Sequence, residues 1–142
     1  MITRKSSAVW EGSLKDGRGR MKVGSGAYEG PYSFASRFEQ GPGTNPEELI
    51  GAAHAGCFSM ALAGALAQAG TPPKRILTEA EVGMDKVGEG FKIISVNLSV
   101  EAEVPGIGDQ EFQALAEKAK ATCPVSQALA GTKITLRAKK VG

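Results

Sequence analysis

Apolar and polar positions alternate along the first third of the chain with a period of two, the spacing of a half-buried strand. In "AVWEGSL", residues 8 to 14, Ala8, Trp10, Gly12 and Leu14 share one face, and "GRGRMKV" follows a Lys-Asp-Gly turn signal. The pattern predicts a hairpin. A glycine-rich loop, "GSGAYEGP", leads to "YSFASRFE", where Tyr32, Phe34 and Phe38 alternate with Ser33, Ala35 and Arg37. This predicts a third strand, with Arg37 facing away from the aromatic side chains. The loop lacks the spacing of the phosphate-binding glycine patterns, so its glycines read as turn residues.

The pattern then changes. In "GTNPEELIGAAHAGCFSMALAGALAQAG", residues 43 to 70, the nineteen residues from Leu49 to Ala67 contain only His54, Cys57 and Ser59 as departures from apolar side chains and glycine. Asn45 reads as the N-cap of a helix, Pro46 as its first residue and Glu48 as the third member of a capping box, with Gly70 as the stop. Such a run approaches the length of a membrane span. Its Ala and Gly content and its amphipathic flanks favour a central helix buried in protein.

Two long strands are predicted next, in "ILTEAEVGMDK" and "FKIISVNLSVEAEVPG", joined at "VGEG". Ile94, Val96, Leu98, Val100, Ala102 and Val104 form the apolar face of the second. "DQEFQALAEKAKAT" places Phe112, Leu115, Ala116 and Ala119 at helical spacing behind an Asp109 cap, and predicts a surface helix with one buried stripe. "CPVSQALAG" reads as a short helical turn entered through Pro124, and "KITLRAKK" as a terminal strand.

The order predicts a single α+β domain over residues 1–142, with helices segregated from mostly antiparallel sheet. About six strands in a chain of this size cover one side of an all-apolar helix but not both. A homodimer in which two such helices pack together and two sheets enclose them meets the shortfall. Gly51 with Ala55, and Ala52 with Gly56, would permit the close approach.

Composition narrows the function classes. The chain has 17 basic and 15 acidic side chains, scattered rather than clustered, which disfavours nucleic acid and acidic membranes as partners. "MITRKSSAVWEG" has no apolar stretch after its basic residues, so no secretory signal is read there and a cytoplasmic location is expected. In that compartment the two cysteines, Cys57 and Cys123, are expected to be reduced, with any bond between them transient.

A reactive Cys57 needs a cation from outside its own helix turn, because helix-dipole help fades beyond the first turn. His54 lies on nearly the same face, but two side chains of one helix point outward in parallel rather than converging as a nucleophile and base. His54, Cys57 and Cys123 lack a recognisable zinc-site spacing. The simpler expectation for His54, the one histidine, is a core or interface residue bonded to a carbonyl. Cys123 precedes Pro124, which puts its sulfur at an N-cap beside free backbone N–H groups. The plain readings of Arg37, Glu47 and Glu48 are a solvated arginine and two first-turn carboxylates.

"NPEELIGAAHAGCFSMAL" and "CPVSQAL", with "YSFASRFE" before them, resemble the family of osmotically inducible protein C and organic hydroperoxide resistance proteins (OsmC/Ohr), on the OsmC branch. The resemblance runs from "VWEG" to "KITL". It implies an intertwined homodimer with central helices wrapped by sheets. It also implies a thiol peroxidase that reduces organic hydroperoxides, and hydrogen peroxide less well, in oxidative or osmotic stress defence. By matching motif, Cys57 corresponds to the peroxidatic cysteine, Cys123 to the resolving cysteine and Arg37 to the arginine beside the thiolate. Glu47 corresponds to the carboxylate holding that arginine, with Glu48 as the alternative. The resemblance implies no metal, flavin or haem, and recycling by a dithiol donor of small-dithiol, lipoyl or thioredoxin type. The rival reading is a non-catalytic redox-sensing or structural dimer.

One consequence follows from helix geometry. Ten residues of straight helix put Glu47 about 15 Å from Cys57 along the axis and turned about 80° away, and Glu48 would be turned about 180°. A helix-start glutamate that orients the arginine is therefore expected to serve the partner's cysteine, in a composite site.

Overall fold

A computed structural model describes residues 1–142, which fall into two compact units, Met1–Leu49 and Ile50–Gly142.

In the first unit, β1 (Ser6–Glu11), β2 (Arg18–Val23) and β3 (Glu29–Tyr32) form an antiparallel sheet in the order β1-β2-β3. The predicted hairpin is present, with Trp10 opposite Gly19 and Gly19 opposite Tyr32. The Trp10 and Tyr32 rings meet across it at 5.3 Å between centroids. A Cβ on Gly19 would lie 2.5 Å from Tyr32 Cε1 and 2.7 Å from Trp10 Cε3, so the ring pair requires glycine there. The first strand stops at Glu11, where Gly12 adopts φ +96°, so Leu14 lies beyond it and is exposed.

The third strand and the segment after it depart from the sequence expectation. β3 lies at the end of the presumed glycine-rich loop, and "YSFASRFE" contributes a one-turn helix, α1 (Phe34–Phe38), in place of a strand. The cause is a serine capping box: Ser36 N–H donates to Ser33 Oγ at 3.1 Å and Ser33 N–H donates to Ser36 Oγ at 2.9 Å. Phe34 and Phe38, four residues apart, then stack on one side of the turn with centroids 4.9 Å apart. Arg37 does not face away from the aromatics; its guanidinium lies over the Phe38 ring at 5.3 Å.

The central helix, α2, spans Pro46–Gln68. Asn45 caps it as expected, its Oδ1 accepting from Glu48 N–H at 2.8 Å. The box is half made, because the Glu48 carboxylate accepts from Thr44 Oγ1 at 2.6 Å. At the other end Gly70 takes φ +86°. Gly70 N–H bonds to Ala67 O at 3.0 Å and Thr71 N–H to Leu66 O at 2.9 Å, the paired bonds of a Schellman stop.

In the second unit, β4 (Arg75–Val87) and β5 (Gly90–Glu103) pair antiparallel through the Gly88-Glu89 turn. The last strand, β6 (Lys133–Lys140), joins β5 in parallel, which the sequence pattern left unspecified. α3 (Asp109–Thr122) buries Phe112, Ala116 and Ala119 as predicted, but its cap is Gly108 and Asp109 sits in the first turn. The short α4 (Pro124–Ala128) follows directly.

The core of this unit joins Phe58, Leu62 and Leu66 of α2 to Val96, Leu98, Val100 and Ala102 of β5, and to Phe112 and Ala116 of α3. Ile94, expected on the apolar face of β5, is largely exposed instead. On α2 the residues Gly51, His54, Phe58, Leu62 and Leu66 are buried, while Ala52, Gly56, Met60 and Gly64 are exposed. Gly51 packs onto β4, where a Cβ would lie 3.3 Å from Ala80 O. Of the two small-residue pairs read from the sequence, only Ala52 with Gly56 lies on the open face. The helix is long and apolar enough to cross a membrane by length and composition.

Candidate functional site

Two groups of polar side chains stand out, one in each unit. In the first, Ser36 fixes the junction between α1 and α2. Its hydroxyl donates to Thr44 O at 2.6 Å, and Asn45 Nδ2 donates to Ser36 O at 3.1 Å. The same serine therefore shapes α1 and ties it to the cap of the next helix. That tie brings Arg37 against Glu47: Nε donates to Oε1 at 3.0 Å and Nη2 donates to Oε2 at 2.9 Å. A bidentate arginine–carboxylate pair of this kind fixes the plane of the guanidinium as well as its position. The Glu47 side chain is 12% exposed and that of Arg37 36%, so the carboxylate is the covered anchor and the cation the accessible end. Glu48 takes no part in this pair. Beside the guanidinium, Trp10, Tyr32, Phe34 and Phe38 line a cavity of about 240 Å³.

In the second unit the sulfurs of Cys57 and Cys123 are within hydrogen-bonding reach of each other, both as free thiols. Cys123 is the N-cap of α4, its Sγ accepting from Ser126 N–H at 3.3 Å. The neighbouring Val125 N–H donates to Cys57. Adjacent free amides of one helix start thus serve one sulfur each, which satisfies donors that would otherwise lack partners. Cys123 is 1% exposed, whereas Cys57 is half-buried.

Burial pushes the Cys57 thiol above its ordinary value. The Val125 N–H opposes this, and the neighbouring Cys123 sulfur adds to it. Within residues 50–142 no positive side chain offsets these effects.

His54 is completely buried, and its Nε2 lies 2.7 Å from Ser126 Oγ. The expected carbonyl partner is thus a hydroxyl. Nδ1 has no hydrogen-bond partner. Burial lowers the His54 pKa below its ordinary 6.5, which leaves the imidazole neutral at physiological pH. Ser126 in turn accepts from Cys123 Sγ at 3.2 Å. Ser126 was not singled out from the sequence. Its position three residues after a cysteine N-cap, as the N3 residue of "CPVS", is the signal that could have found it. No three His, Cys, Asp or Glu side chains are grouped to hold a metal ion.

The sequence model of the OsmC-like protein family matches residues 39–137. The chain belongs to the OsmC-like family. It is 52% identical to Peroxiredoxin OsmC of Escherichia coli (strain K12) over 129 residues, 90% of each chain. It is 36% identical to the organic hydroperoxide resistance protein of Xanthomonas axonopodis pv. citri over 92 residues, 64% of this chain and 63% of that one. Its fold matches the crystal structure of the organic hydroperoxide resistance protein OhrB of Bacillus subtilis with a TM-score of 0.73 and 25% identity, covering 99% and 98% of the two chains. The α+β architecture inferred from the element order is the one these OsmC-like proteins share.

Proposed function

We propose that this protein is a cysteine-based peroxidase that reduces organic hydroperoxides to alcohols, with hydrogen peroxide a poorer substrate. The observation that carries the reading is the contact of two free thiols at the start of α4, one half-exposed and one buried, in a chain 52% identical to a peroxiredoxin. The Cys57 thiolate attacks the terminal peroxide oxygen. The O–O bond breaks, the alkoxide takes a proton and leaves as an alcohol, and Cys57 becomes a sulfenic acid. Cys123 condenses with it, forming a disulfide and releasing water. A dithiol donor in the reducing cytoplasm then restores both thiols by exchange, with a small dithiol, a lipoyl group or a thioredoxin as the candidate class.

Arg37 supplies the charge that lowers the Cys57 pKa and polarises the peroxide, and Glu47 holds its guanidinium in plane. The aromatic wall beside Arg37 suits the organic part of the substrate. The arginine serves the cysteine of the other protomer. Two observations support this: α2 is unbroken between Glu47 and Cys57, and no cation of residues 50–142 acts on Cys57. The open Ala52, Gly56, Met60 and Gly64 face of α2 is the surface for the second copy, so that the whole chain works as one domain completed by its partner. The apolar helix is thereby covered by protein and not by lipid.

Steady consumption of cumene hydroperoxide with dithiothreitol, lost in Cys57→Ser, tests the reading. A single stoichiometric oxidation without turnover under any dithiol donor would instead mark the protein as a redox-sensing dimer.

A further inference from the structure

Three buried side chains from two distant parts of the sequence form one hydrogen-bonded row: Cys123 Sγ to Ser126 Oγ at 3.2 Å, and Ser126 Oγ to His54 Nε2 at 2.7 Å. His54 is 0%, Cys123 1% and Ser126 5% exposed, so the row is shielded from water along its length. A fully buried histidine with one ring nitrogen unpartnered is a costly arrangement that an apolar side chain of similar volume would avoid. We infer that His54 and Ser126 form a proton relay that activates the buried Cys123 for attack on oxidised Cys57. This rests on the peroxidase reading above and assigns positioning residues to its second step.

The chemistry balances. Cys123 Sγ–H passes its proton to Ser126 Oγ while Ser126 Oγ–H passes its own to His54 Nε2. The Cys123 sulfur attacks the Cys57 sulfenic sulfur, the S–S bond forms and the S–O bond breaks. Cys123 is oxidised and the sulfenic sulfur is reduced. The hydroxide departs at the half-exposed Cys57 and takes up one proton to become water, matched by the one proton the relay took from Cys123, so that one thiol and one sulfenic acid yield one disulfide and one water.

The geometry favours this direction. Cys123 has no exposure through which water could take its proton, so a base inside the protein is needed. When Nε2 accepts from Ser126, the ring hydrogen sits on Nδ1, which has no partner. Protonation of Nε2 then adds a donor that already faces an oxygen and creates no second unpartnered group. A neutral imidazole at pH 7 is free to accept, in keeping with the lowered pKa. The titratable groups along the row are Cys123 and His54, with Cys57 beside Cys123. Burial is the sole influence on His54, so no charged side chain of a packed element shares its titration.

Timing the two half-reactions separately tests the relay. Quenched-flow mass spectrometry would follow the Cys57 sulfenic acid and the Cys57–Cys123 disulfide after cumene hydroperoxide, between pH 5 and 9. His54→Gln retains a hydrogen bond to Ser126 and cannot take the proton; Ser126→Ala interrupts the row. In both, disulfide closure relative to Cys57 oxidation is expected to slow by at least ~10-fold at pH 7, at the low end of general-base effects. Its rate should also rise tenfold per pH unit where the parent protein has reached a plateau. Closure by diamide, run in parallel, forms the same bond without a peroxide. If hydroperoxide fails to oxidise Cys57 but the diamide profiles separate as stated, the peroxidase reading fails and the relay stands. If His54→Gln matches the parent in rate and pH profile with both oxidants, the relay is refuted and His54 is only a packing residue.

Discussion

Arg37 and Glu47 are joined by two near-parallel hydrogen bonds of 3.0 and 2.9 Å, while the adjacent Glu48 turns to the Thr44 hydroxyl. Neighbouring carboxylates with the same sequence context thus have different tasks. Glu47→Gln is expected to lower kcat/KM for cumene hydroperoxide about 10- to 100-fold, or roughly 1.4–2.7 kcal/mol of transition-state stabilisation. Glu48→Gln should stay within about twofold, since it alters only the bond to the Thr44 hydroxyl and leaves the Asn45 cap in place. Arg37→Lys is not expected to rescue the arginine, since an ammonium cannot reproduce the planar fork. Equal losses in Glu47→Gln and Glu48→Gln would show that charge near the helix start, and not the bidentate pair, is what matters.

A composite site makes a counting prediction. Cys57→Ser and Arg37→Ala should each be inactive, yet mixing them through subunit exchange should restore about one quarter of parent activity, because half the dimers are mixed and each carries one intact site. Activity that stays at zero after verified exchange would place cysteine and arginine of one chain in the same site. In Arg37→Ala the pH midpoint for Cys57 alkylation should also rise, to or above the usual thiol value near 8.5.

The buried imidazole predicts how stability depends on pH. Burial lowers the His54 pKa below 6.5, so between the two values the unfolded chain binds a proton that the native state does not. Stability therefore rises with pH through that window and falls as pH drops from about 7 towards 5, by up to about 1.4 kcal/mol for each unit separating the two pKa values. Urea denaturation of the reduced protein at a series of pH values measures this. His54→Gln should flatten that part of the curve, and an unchanged slope would show that the carboxylates alone set it.

Much of the fold is legible because its elements carry their own signals. Asn45, Pro46 and Gly70 delimit α2 by backbone chemistry that does not depend on the rest of the protein. The apolar face of β5, from Val96 to Val104, follows from alternation alone. "YSFASRFE" failed because its aromatic spacing fits period two and an (i, i+4) pair equally well; the Ser33–Ser36 box decides between them. The cap at Gly108 rather than Asp109 is a shift of one residue of the ordinary kind.

By itself the sequence determined the α+β order and Cys123 as the N-cap sulfur of α4, since each depends on residues close together in the chain. Only the tertiary structure decided that Glu47 and not Glu48 holds Arg37, and that Gly51 faces β4 while Ala52 and Gly56 stay open. It also decided that the one histidine reaches Cys123 through Ser126, 72 residues away in sequence. These last relationships are set by which faces pack and by which buried polar atoms must find partners. Those requirements act through space, and no local pattern in the chain encodes them.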